Sequence, residues 1–162
     1  LIYMKRPWNI INPPIYSLVT YDETDNLNMN ICSYVSAVSL KPKLYSIAID
    51  YSTKTYENLK LNSYVVLQLL SKSHLKIIRK LGKKSGYLIN KEKYLKSKDM
   101  LDNWRKNIVL KDTCALIELK KNNEINIEGD HAIFTFSVSK YKTLSEGGIL
   151  TFKDLIDNKI IL

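Results

Sequence analysis

The chain is poor in the residues that build several common kinds of site. Its 162 residues include two cysteines, Cys32 and Cys114, and two histidines, His74 and His131. Two cysteines do not make a disulfide framework. Cysteines and histidines this far apart have no zinc-site spacing. No apolar run reaches the length needed to span a bilayer. The first fifteen residues lack the shape of a secretory signal, because Lys5 and Arg6 interrupt them and Pro7, Pro13 and Pro14 break them. A cytoplasmic location is the expectation that follows. There is no internal repeat and no low-complexity linker. The length suits one domain over residues 1–162, with a core of its own.

Acidic residues are scarce too: 16 stand against 25 lysines and arginines, for a net charge of +9. Such a balance fits nucleic acid, an acidic partner or anionic small molecules. Much of the excess lies between Lys72 and Lys98, at Lys72, Lys76, Arg79, Lys80, Lys83, Lys84, Lys91, Lys93, Lys96 and Lys98. A solvated face is the plainer reading of that run. His74 falls within it and reads as a surface residue. Aromatic residues are not interleaved with these lysines as stacking platforms require, which argues against a nucleic-acid module.

What the chain does have is strand periodicity. Residues 16–21 and 44–50 read as strands, the second with Tyr45, Ile47 and Ile49 alternating with smaller groups. The apolar run at 64–70 reads as a buried strand. Residues 114–120 alternate again, Asn122 and Asn123 suggest a turn, and Ile125 and Ile127 begin a short strand. From Gly129 onward Ala132, Phe134, Phe136 and Val138 share one face, as in a half-buried antiparallel strand. Helices are few. Ser52 or Thr53 can cap one running to about Leu61. Ser71 or Ser73 can cap another carrying Leu75, Ile78 and Leu81, with Gly82 at its C-terminal cap. A third short helix is expected around 94–104. Residues 1–14 read as an extended arm anchored by Trp8. Many strands, short turns and few helices predict an antiparallel barrel with peripheral helices.

One stretch stands out, residues 28–42, Asn-Met-Asn-Ile-Cys-Ser-Tyr-Val-Ser-Ala-Val-Ser-Leu-Lys-Pro. Its small residues and hydroxyls let a flat ligand approach the backbone. Asn28 and Asn30 suit a turn, and Pro42 keeps Lys41 extended. Cys32 reads as a small packing residue, since no basic neighbour in sequence would lower its pKa.

Taken in order, Val19-Thr20, Asn28, Cys32-Ser33, Val35-Ser36-Ala37-Val38-Ser39, Pro42 and Lys54-Thr55-Tyr56-Glu57-Asn58 form a series. Gly129-Asp130-His131 follows much later. This series resembles the flavin reductase-like family, over nearly the whole chain. The chain departs from it at Lys41-Pro42-Lys43, where many members have Asp-Pro-Pro, and at Ile31-Cys32, where Thr-Ala is frequent. The resemblance implies a mainly β fold with peripheral helices, an FMN-binding split β-barrel of antiparallel Greek-key type. It also implies an NAD(P)H:flavin oxidoreductase that passes hydride from NADH or NADPH to flavin, FMN or FAD. An FMN-binding electron carrier of flavoredoxin type is the alternative.

Several residues acquire implied roles. Asn30, Ile31, Cys32, Ser33, Ser36 and Val38 belong to the loop that presents its backbone to the flavin ring, and Ser39 to a phosphate or ribityl contact. Thr53, Lys54, Thr55 and the helix N-terminus behind them suit the phosphate, with Asn58 completing the motif. His131 is implied beside the nicotinamide; a histidine merely satisfied at a strand start is the alternative. Gly86 and Lys91 loosely match a Gly-x-x-x-x-Lys element in a region that covers the flavin or the dimer contact. A homodimer, and a monooxygenase or other acceptor as electron partner, are the implied associations. The flavin carries the redox chemistry, so no catalytic acid is required of the protein.

Overall fold

The structure, a computed structural model, describes residues 4–161. Its centre is a seven-stranded antiparallel sheet. Strand β1 (Tyr16–Tyr21) turns into β2 (Leu27–Met29) through residues 22–26. The turn is local chemistry: the Asp22 carboxylate accepts from the amides of Thr24 and Asn26, and Asp25 takes a positive φ of 60°. The chain then bridges Tyr16 at Cys32 by two backbone hydrogen bonds of 2.8 Å. It continues into β3 (Val35–Leu40) and β4 (Lys43–Asp50).

Helix α2 (Lys54–Leu61) starts at Thr53, whose Oγ1 accepts from the Tyr56 amide at 3.2 Å. Strand β5 (Tyr64–Leu69) follows, then a 3₁₀ turn (Lys72–Ile77) leading into α3 (Ile78–Gly82) and, further on, α4 (Lys91–Ser97). A two-stranded hairpin, β6 (Leu101–Trp104) with β7 (Asn107–Leu110), precedes the long strands β8 (Ala115–Asn126) and β9 (His131–Thr143). Helix α5 (Phe152–Asp157) opens on a capping box between Thr151 and Asp154.

The strand order is β2-β1-β5-β8-β9-β4-β3. Its two edges are consecutive in sequence, so residues 30–34 join one end of the curled sheet to the other. This is the split, unclosed form of an antiparallel barrel, mainly β with helices outside it, as expected. Both faces of its middle strands are buried. Leu18, Ile47, Ile49, Val65, Leu67, Leu119, Ala132, Phe134 and Phe136 pack on one side. Val19, Val66 and Leu116 pack on the other, with residues from α3, α4 and the β6–β7 hairpin. That double burial is why residues 64–70 read as a continuous apolar run. Among the described residues no helix is long and apolar enough to cross a membrane.

Four local expectations are corrected. Residues 7–10 form a single helical turn (α1, Pro7–Ile10), and Trp8 is 60% exposed, so it is no buried anchor; Leu1 to Tyr3 lie outside the described residues. The helix expected at 94–104 runs instead over 91–97, and the β6–β7 hairpin follows it. Asn122 and Asn123 do not turn the chain. A register shift between Lys121 and Asn123 absorbs them into β8, which also takes in Ile125. His74 is fully buried rather than on the surface: its Nδ1 accepts from the Ser71 amide at 3.0 Å, and Nε2 meets the Lys111 carbonyl at 2.7 Å.

Candidate functional site

Residues 26–34 contribute to two hollows. The first, about 170 Å³, is lined by Asn30, Ile31, Cys32, Ser33, Tyr34, Ala48, Ile49, Asp50 and His131. Five of the sequence-expected residues therefore meet at one place. Asn30 is pinned there because its Oδ1 accepts from the Leu18 amide at 2.8 Å. Cys32 is held by its backbone bridge to Tyr16, and burial pushes its thiol up to about 12, so it stays a neutral packing group.

His131 opens β9 opposite Asp50 of β4. Its Nδ1 lies 2.6 Å from the Asp130 carboxylate, and its ring meets Tyr34 edge-on with centroids 5.3 Å apart. The Asp50 carboxylate accepts from the amide and hydroxyl of Ser52, both at 2.7 Å. These bonds, chiefly the amide, hold its pKa below the usual carboxylate value, with a smaller contribution from His131. A half-buried imidazole between two carboxylates and an aromatic edge is oriented, yet it still borders the hollow.

The second hollow, about 260 Å³, is lined by Asn26, Leu27, Asn28, Lys54, Gly86, Tyr87, Leu88, Ile89, Asn90 and Lys91. Lys54 reaches it from the first turn of α2 and pairs with Asp22 at 3.2 Å. The bonds Asp22 accepts from its own turn, above all from the Asn26 amide, hold its carboxyl far below the usual range. Asn28 is buried and donates through Nδ2 to the Thr55 hydroxyl at 3.1 Å. Lys91 is 5% exposed and so is no part of a solvated lysine face.

The remaining expected residues lie apart from these two hollows. Thr53 is engaged as the cap of α2, its hydroxyl donating to the Asp50 carbonyl at 2.7 Å. Thr55 and Asn58 are buried, and Asn58 donates to the Thr20 hydroxyl at 3.1 Å, tying α2 to β1. Ser36 and Val38 sit on the exposed edge strand β3. Ser39 lines a third, apolar hollow of about 360 Å³ with Tyr16, Leu44, Tyr45, Val138 and Tyr141. Sequence reading missed Tyr34, Asp50 and the Asp22–Lys54 pair. Only the Gly86-to-Lys91 spacing hinted at the second cation.

The family model described as the flavin reductase like domain matches residues 11–155. No curated protein matches the chain. Among solved structures, the styrene monooxygenase flavin reductase from Pseudomonas putida S12 is 17% identical, with a TM-score of 0.73, over 90% of this chain and 89% of that one. An FMN-binding protein from Thermus thermophilus is 16% identical, with a TM-score of 0.73, over 91% and 82%. A flavoredoxin from Methanosarcina acetivorans is 15% identical, with a TM-score of 0.74, over 89% and 75%. At these identities the structural likeness establishes the fold. The family match covers nearly all of that fold, and the chain belongs to the flavin reductase-like family.

Proposed function

We propose that the protein binds FMN across the two hollows and reduces it with NADH or NADPH. One observation carries this reading. A hollow lined by residues 30–34 follows along the chain from a hollow lined by two lysines, with Asn28 of β2 lining the second and Asn30, just past β2, the first. Two residues of strand span roughly 7 Å at ~3.3 Å each, a distance suited to a ribityl chain between a ring and its phosphate. FMN, when bound, supplies the ring that accepts hydride from the nicotinamide. The chain's own residues hold and orient. Residues 30–33 offer backbone groups to the ring edge, Lys54 and the start of α2 offer positive charge to the phosphate, and His131 offers a ring nitrogen to the dinucleotide.

Anaerobic addition of FMN and then NADH or NADPH, followed by visible absorption, tests the proposal. Flavin fluorescence should be quenched on binding, and the oxidised bands should bleach with a nicotinamide. Tight FMN binding without bleaching by either nicotinamide would favour the flavoredoxin-type carrier, a reading that the likeness to the Methanosarcina acetivorans flavoredoxin keeps in view. The reduced flavin would serve a monooxygenase or another acceptor. A second copy of the chain is the partner that best suits the apolar hollow between β3 and β9. Leu40 and Tyr141 line it and are 83% and 63% exposed. Sedimentation at two protein concentrations would show a dimer or exclude it.

A further inference from the structure

Lys91 is an unusual place to find a lysine. It is the first residue of α4, it is almost wholly buried, and its Nζ donates to the Leu81 carbonyl at 2.7 Å. Among the described residues no salt bridge includes it. Burial, and next the charge of Lys54, push its pKa down to about 8. A buried ammonium with one neutral partner is unfavourable for the fold taken alone.

Its surroundings explain what such a charge can face. Lys54 on α2 lines the same hollow, and among the described residues its carboxylate partner is Asp22 in the β1–β2 turn. Tyr87, in the segment before α4, turns its hydroxyl to Glu57. Glu92 is occupied by the Leu27 amide and Lys96. So the hollow is lined by two cations from two elements, with Asn26, Asn28 and Asn90 also on its walls. At about 260 Å³ it far exceeds the ~10–15 Å³ needed to hold one water, enough for a tetrahedral oxyanion.

We propose that Lys91 and Lys54 together grip the phosphate monoester of FMN, and that Lys91 makes this site selective for a dianionic monoester over riboflavin and over the phosphodiester-type linkage of FAD. The inference rests on the FMN reading above and adds a residue and a selectivity to it. A monoester carries two negative charges near neutral pH, and Lys91 adds a cation beside Lys54, whose charge Asp22 partly balances. Each phosphorus of a pyrophosphate linkage carries one negative charge, and the rest of the dinucleotide must leave the hollow. Charge-assisted hydrogen bonds of this kind are among the strong ones.

Fluorescence titration of wild type and Lys91→Met with FMN, riboflavin and FAD tests it. Wild type should bind FMN tightest. Lys91→Met should lose about tenfold or more for FMN, equivalent to ~1.4 kcal/mol, while riboflavin changes by less than about twofold. Retained riboflavin binding also reports that the variant is folded. In wild type, FMN affinity should fall as pH rises above about 8, where free Lys91 loses its proton. Riboflavin affinity should stay level across that range. That pH comparison needs no variant, and a level FMN profile would overturn the proposal even if Lys91→Met fails to fold. Unchanged FMN affinity in a folded Lys91→Met, or parallel loss of FMN and riboflavin, would also overturn it. If wild type binds neither flavin, the FMN reading fails separately, and inorganic phosphate becomes the probe. Thermal stabilisation by phosphate that Lys91→Met abolishes would uphold the two-lysine anion site, and its absence would overturn it.

Discussion

Gly86 stands against Asn28 so closely that a β-carbon built on it would lie 2.4 Å from the Asn28 Oδ1 and 3.2 Å from Lys54 Cδ. The segment before α4 is thereby pressed onto both walls of the lysine-lined hollow. Gly86→Ala must push Asn28 away from Thr55, or lift the segment, since overpacking of this kind costs roughly 1–3 kcal/mol. The expected result is a lower urea midpoint together with weaker FMN binding. A variant with wild-type stability and affinity would show that the segment yields freely.

Lys54 is expected to carry phosphate affinity with little effect on the ring. A charge-assisted hydrogen bond contributes roughly 1.5–3 kcal/mol. Lys54→Ala should therefore weaken FMN by about tenfold to a hundredfold and leave riboflavin nearly unchanged. Equilibrium titration of both ligands decides it, because general damage to α2 would weaken the two together.

His131 borders the hollow lined by residues 30–34 and is oriented by Asp130 and Tyr34. If it serves the nicotinamide, His131→Ala should slow flavin bleaching by NADH or NADPH and leave FMN binding intact. Stopped-flow absorption separates the two. Loss of both in parallel would return His131 to the role of a strand-start histidine.

His74 carries a different consequence, one of stability. Burial lowers its pKa below the ordinary 6.5, opposed in part by the Lys111 carbonyl. Between the lowered folded value and about 6.5 the unfolded chain holds more protons, so stability rises with pH through that window and is lost as pH falls from 6.5. His74→Asn keeps an acceptor near the Ser71 amide but cannot titrate. Its urea midpoint should show less decline than wild type below about pH 6.5. An identical decline in both would assign the acid sensitivity to carboxylates.

Periodicity made the barrel strands legible because each buries a face at period two, and residues 64–70 because both of their faces are buried. It failed where polar residues have tertiary partners. His74 is polar in composition and lies in a lysine run, yet Ser71 and Lys111 satisfy it inside the protein. Asn122 and Asn123 carry turn chemistry, but pairing with β9 overrides it. Residues 30–33 and His131, distant in the sequence, line one hollow. Lys91 could not be told from its surface neighbours by type. Only the Leu81 carbonyl and the wall of the hollow distinguish it.

Lys91 also separates binding from stability. In the unfolded chain it should keep its proton to the ordinary 10.5, whereas in the fold it loses it near 8. Between these values the unfolded chain binds more protons, so stability rises with pH from about 8 to 10.5. Below 8 both states hold the proton and the full penalty of the buried charge is present. A methionine of similar length removes that penalty, and replacing buried charges by apolar groups is often stabilising. Without ligand, Lys91→Met should therefore be more stable than wild type near neutral pH, by ~1–3 kcal/mol, and the difference should shrink toward about pH 10. Saturating FMN should narrow or reverse the gap at neutral pH, because ligand binding stabilises the wild type more. Urea unfolding of both proteins at the two pH values, with and without FMN, gives all four comparisons. A ligand-free variant that is less stable than wild type at neutral pH would mean that the bond to the Leu81 carbonyl outweighs the buried charge. The lysine would then be a structural tie between α3 and α4.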